Sequence, residues 1–160
     1  MHATAQRVFL YVFALWLGSL VTVGYFVAPV LFATLTDSQV AGMVAGQLFR
    51  IEGMIGLILG VALIAFANLL VKRQLEHYKK VRWYLLIMLA CAAFIAFVLQ
   101  PMMNALREEA LSKGFPVMMS PLAASFGTLH GISSVLYLIQ TIVGLVLLWR
   151  LTRSINLVKS

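Results

Sequence analysis

Of the three histidines in the chain, only His130 falls inside a charge-free apolar stretch, Phe126-Gly127-Thr128-Leu129-His130-Gly131-Ile132-Ser133-Ser134. An ionisable side chain is costly in such a stretch and marks a ligand, proton or pairing site. Imidazole offers three chemistries there, as metal ligand, haem ligand or proton carrier. Beside them stands a plainer reading, an interhelical hydrogen bond that holds one helix in register. Methionine supplies a second donor type: Met43, Met54, Met102, Met103, Met118 and Met119, six of the eight, fall on the same side of the topology as His130. Thioether with imidazole suits Cu(I), which makes His130 with Met103 a candidate copper pair, although methionine equally fills irregular packing. Haem held by two histidines is disfavoured, since His2 and His77 fall at the opposite end. Haem held by His130 with a methionine stays open.

The elements that must position these groups are membrane spans. The chain is 62% hydrophobic and 11% charged, outside the range of a soluble domain. Four apolar runs, roughly 8–32, 53–71, 83–104 and 126–149, meet the length of a spanning helix. The first is too long for a secretory signal core and has no small-x-small cleavage site, so it is expected to remain as span one. The expected fold is an all-α membrane protein, an antiparallel four-helix transmembrane bundle forming a single domain over 1–160.

Basic residues set the expected orientation. Arg7, the group from Lys72 to Arg82, and Arg150, Arg153 and Lys159 put nine cations on one side, against Arg50, Arg107 and Lys113 on the other. Both termini are therefore expected in the cytoplasm, with the protein in the plasma (inner) membrane. The net charge of +7 comes from span flanks without interleaved base-stacking aromatics, which argues against nucleic acid and for contact with anionic lipid. Cys91 stands alone in span three and reads as packing.

With that topology, His130 shares the outer leaflet with Glu52, Gln100 and Asn104. His130, Ser134, Tyr137 and Thr141 follow helical spacing and are expected to face the bundle as one stripe. Glu52, rather than Arg50 two residues before it, is expected to turn inward and hydrogen bond to His130. The candidate ligand site is thus His130, Glu52, Gln100, Asn104, Ser134 and Tyr137. Gly-x-x-x-Gly spacings at Gly42/Gly46, Gly56/Gly60 and Gly127/Gly131 predict close helix packing or a homo-oligomer seam. Between spans one and two, Thr36 with Gln39 has the spacing of a capping box, which predicts a helix start. Soluble-enzyme motifs such as a phosphate loop, a nucleophile elbow or a paired-histidine zinc helix do not occur.

The ordered set Trp16, Gly18, Pro29, Leu31-Phe32, Leu35, Gly42, Leu48-Phe49, Leu99-x-Pro101, Phe126, His130, Gly131, Ser133 and Ser134 resembles the transmembrane protein 205-like family. The resemblance runs over nearly the whole chain and implies a four-span membrane protein without an assigned biochemical activity. Tyr137 departs from it, standing where that family often has Asn. Three function classes follow: binding or passage of a small ligand, a metal ion or lipid headgroup first, through an outer-leaflet polar pocket; a membrane redox enzyme using His130 with haem or quinone; and a non-catalytic assembly or quality-control partner of other membrane proteins.

Overall fold

Residues 2–156 are described by a computed structural model, with side chains over 3–153. Lys159, counted above with the basic side, and the side chain of His2 lie outside the described residues. The chain runs α1 (His2–Thr22), a π turn (Val23–Val27), α2 (Ala28–Thr34), α3 (Ser38–Lys72), α4 (Tyr78–Phe94), a second π turn (Ile95–Leu99), α5 (Gln100–Ser112), a 3₁₀ turn (Val117–Met119) and α6 (Ala123–Asn156). Four continuous helical rods result, over Ala3–Thr34, Ser38–Lys72, Tyr78–Ser112 and Ala123–Arg153, each long and apolar enough to cross a membrane. They form a ring: α1 packs on α3 and α6, and α4 packs on α3 and α6.

The rods exceed the expected spans. At ~1.5 Å per residue the 35 residues of α3 reach about 52 Å, against a hydrocarbon layer of about 30 Å. Span three does not end near Asn104 but continues as the polar α5 to Ser112, and span two starts at Ser38. The helix start predicted at Thr36 is real but falls one residue further on: Asp37 is the cap, its Oδ1 accepting from the backbone N–H of Gln39 at 2.8 Å.

Both outgoing ends close with the same geometry. At the end of α3 the N–H of Gln74 donates to Val71 O and that of Leu75 to Leu70 O. At the end of α5 Gly114 donates to Leu111 O and Phe115 to Ala110 O. Each pair is a Schellman closure, which requires one left-handed residue. Gly114 supplies it at φ 81°, whereas the first turn uses Gln74 at φ 69°. Two prolines sit in matching positions, Pro29 and Pro101, each two residues beyond a π turn. Proline cannot donate to the carbonyl one turn back, and the local rewinding absorbs that loss.

The principal core lies toward the end that carries the loop between α3 and α4, called the basic end below. Phe9, Phe13, Trp16, Leu63, Tyr78, Leu85, Met88 and Leu147 are almost fully buried there. Phe9 stands edge-on to Tyr78 and Phe66, and Arg82 donates to Asn68 Oδ1 at 2.8 Å, tying α4 to α3. Cys91 is a buried free thiol, in keeping with its packing role. Toward the other, far end, α2 packs against α3 and the preceding turn rather than against α6. Spans one and four therefore part beyond the first π turn.

Candidate functional site

Glu52 is the one charged residue among the buried side chains of the described core, 6% exposed. Its Oε1 accepts from the Ser19 hydroxyl at 3.0 Å. The Trp16 carbonyl oxygen lies 2.8 Å from the same hydroxyl, so the single hydroxyl proton is shared between its own helix and Glu52. Among the described residues no Lys, Arg or His forms an ion pair with Glu52. One turn along α3 is Gly56. A Cβ there would come within 2.9 Å of Trp16 Nε1, so glycine is what lets the indole seat against the α3 backbone. That indole N–H is buried without a hydrogen-bond partner among the described residues.

Tyr137 closes the site from α6. Its hydroxyl donates to Leu20 O at 2.6 Å, and its ring meets Phe49 edge-on at 5.3 Å between centroids. The ring passes so close to α1 that a Cβ on Gly24 would meet it at 2.4 Å. Thr141 is buried one turn further, where Tyr25 reaches it with a 3.3 Å hydrogen bond. Trp16, Ser19, Glu52 and Tyr137 are therefore contributed by three rods, on the far side of the core.

The expected partner of Glu52 is corrected. His130 is exposed, whereas Glu52 is buried, and the carboxylate hydrogen bonds to Ser19 and not to His130. The imidazole lies parallel to the Phe126 ring at 6.4 Å. The predicted stripe splits: Tyr137 and Thr141 hydrogen bond to the first rod, at Leu20 and Tyr25, while His130 and Ser134, further along the same stripe, are exposed, Ser134 donating back to the His130 carbonyl oxygen at 2.9 Å. Divergence of α2 from α6 is the physical reason, because the inward-facing register has no span-one neighbour at that level.

Gln100 is half-buried and Asn104 exposed, and Asn104 accepts from Arg107 at 3.2 Å rather than from any group near Glu52. Met103 is half-buried. No three His, Cys, Asp or Glu side chains gather among the described residues. The glycine pairs also divide. Gly56 and Gly60 sit against Trp16 and Leu89, as packing predicts, but Gly127 and Gly131 have nothing within 4 Å of a Cβ and make no close contact inside the chain.

Four site residues escaped the sequence reading. Ser19 carried a usable signal, a hydroxyl in the middle of an apolar run. Trp16 entered only as one of the residues that carry the resemblance and Gly24 not at all, since their importance here lies in who packs on whom. Arg107, counted there only among the cations opposite the basic side, lies over the Phe126 ring at 5.5 Å and close to Gly46.

A family model described as Domain of unknown function (DUF4149) matches residues 11–112, well over half of the chain. No curated protein and no solved structure matches it.

Proposed function

We propose that this chain, which belongs to the DUF4149 family and is a multi-pass membrane protein, binds a small monovalent cation or a proton at Glu52. The observation that carries the proposal is a carboxylate 6% exposed, hydrogen bonded to Ser19 and without an ion-pair partner among the described residues. An uncompensated charge in a low-dielectric interior costs several kcal/mol, so such a group takes up a positive charge. Ser19 Oγ adds an oxygen lone pair to the carboxylate. A hard divalent ion takes six or more oxygens. One carboxylate and one hydroxyl fall far short of that, and a single carboxylate charge is balanced by a monovalent ion or a proton rather than by Ca²⁺ or Mg²⁺.

Orientation belongs to the same proposal. The clustering of Lys and Arg at the basic end supports a cytoplasmic location for it and for both termini, with the Glu52 site in the outer half of a plasma (inner) membrane protein. The closer likeness to transmembrane protein 205-like proteins is likewise part of the reading, supported by the ordered residues named above. A redox role through His130 with haem or quinone has less support, since the imidazole is exposed with Phe126 as its ring neighbour.

The test is thermal unfolding of purified protein in sodium, potassium or choline chloride at equal ionic strength and several pH values. A ligand that binds only the folded state stabilises by about 2.7 kcal/mol at a hundredfold excess over Kd. Wild type is expected to respond to one of the small cations or to protons, and Glu52→Gln to lose that response. An identical response in both proteins refutes the reading.

One observation favours a second reading, a non-catalytic assembly partner or homo-oligomer. The exposed face of α6 at Gly127, His130, Gly131 and Ser134 is free of close neighbours at both glycines, as a second membrane helix would require. Gly131→Leu is expected to abolish a cross-linked complex if that face is the seam; an unchanged complex refutes it.

A further inference from the structure

At the basic end, α4 and α6 leave a cleft of about 230 Å³ lined by His77, Lys80, Tyr84, Arg150 and Arg153 over an apolar floor. The floor is Val81, Leu147 and Leu151, each at most 5% exposed. His77, Lys80, Val81 and Tyr84 recur at helical spacing on one rod, as do Leu147, Arg150 and Leu151 on the other, so each helix turns one face into the cleft. Arg150 lies over the Tyr84 ring at 5.2 Å, which fixes its guanidinium at the rim. Among the described residues no carboxylate lines the cleft. A second groove of about 310 Å³ shares Lys80 and Tyr84 and continues past Trp83 to Ile87, along α4 into the apolar part of the rod.

We propose that the two clefts form one site for an anionic phospholipid, with the headgroup phosphate between Lys80, Arg150 and Arg153 and an acyl chain along Trp83 and Ile87. The cations match phosphate oxygens, Arg by its planar fork and Lys as a point charge. The first cleft is smaller than pockets for drug-sized ligands, which start near 300 Å³, but suits a headgroup. The apolar continuation distinguishes a lipid from free phosphate, because inorganic phosphate has nothing to place on Trp83 and Ile87. Basic pockets between spans are a recurring mode of anionic-lipid binding. The site stands apart from Glu52 and does not depend on it.

Trp83 and Trp149, both largely exposed beside the cleft, report on it directly. The full-length protein is reconstituted in vesicles containing brominated phosphatidylglycerol or brominated phosphatidylcholine, and tryptophan quenching gives the relative affinity; Trp16, buried at 1%, supplies the unquenched background. Wild type is expected to prefer phosphatidylglycerol. Each cation removed should cost about fivefold, so Lys80→Gln with Arg153→Gln loses roughly twenty-fivefold or the whole preference. Arg7→Gln with Lys72→Gln, at the same end but away from the cleft, keeps it, and so does the charge-preserving pair Lys80→Arg with Arg153→Lys. Absence of any preference overturns the proposal, as does equal loss in both charge-removing pairs, which marks diffuse surface attraction. Loss in the charge-preserving pair shows that charge is not the cause. Abolition of the preference by millimolar inorganic phosphate identifies a free-anion site instead.

Discussion

Replacing Gly24 by alanine gives the sharpest check on how Tyr137 is held, because two effects of known size oppose each other. In a helix interior Gly→Ala usually stabilises by about 1 kcal/mol. Here the new methyl would stand 2.4 Å from a ring carbon of Tyr137 and 3.2 Å from its hydroxyl oxygen. The ring cannot yield by rotating a flexible end, since its hydroxyl is fixed on Leu20 O and its edge on Phe49. Overpacking of this kind costs about 1–3 kcal/mol, and displacement of the ring adds a lost hydrogen bond of about 1 kcal/mol. The balance is a net destabilisation of about 1–3 kcal/mol, opposite in sign to propensity. Reversible unfolding in mixed micelles measures it, within a double-mutant cycle against Tyr137→Ala. With the ring gone, Gly24→Ala should become neutral or stabilising, and Gly18→Ala, where nothing lies within 4 Å, should stabilise in either background. A Gly24→Ala protein as stable as wild type, or one equally destabilised without Tyr137, refutes the account.

Two further outcomes follow from the basic end and the chain reversals. Gln74 occupies a left-handed position that costs a side-chain-bearing residue about 1–2 kcal/mol, so Gln74→Gly should stabilise by up to about 1 kcal/mol and Gly114→Ala should destabilise by a similar amount, read from denaturant midpoints. Partial burial holds the His77 imidazole below its usual range. As pH falls, the unfolded chain takes up that proton before the folded one does. Stability is therefore full above the ordinary histidine value, declines as pH falls through it, and levels off below the folded value. Melting curves between about pH 7.5 and about pH 5.5 should show a smaller acid-induced drop in His77→Gln than in wild type.

The four rods were legible because each holds a long charge-free run, a signal set by the thickness of a bilayer. Their ends were not, and α5 shows why. Gln100–Ser112 is polar, so a helix that leaves the lipid carries no hydropathy signature even though its backbone continues unbroken. Pro29 and Pro101 marked where the rods are rewound, but an added residue per turn has no composition of its own. Glu52 was correctly turned inward by comparison with Arg50, whereas its partner was misassigned. Shared depth placed His130 beside it, but Tyr137 is the α6 residue level with Leu20 and the Ser19–Glu52 pair, and His130 stands seven residues, about 10 Å, further along the helix. Ser19, mid-span and polar, was the missed alternative.

The first π turn has a consequence for chain register. One extra residue in Val23–Val27 advances everything after it by about 100° relative to a continuous α-helix. In the present phase Phe32 is turned to the α3 backbone, 3.9 Å from where a Cβ of Gly42 would stand. Deletion of a single residue from that turn would rewind it to α-helix and swing Phe32 a quarter-turn and more away from Gly42, bringing a different edge of α2 to face α3. Chain length over these five positions therefore acts as an angular setting for the far end, and a relative that lacks one residue there would present another face of α2 without changing any amino acid in it.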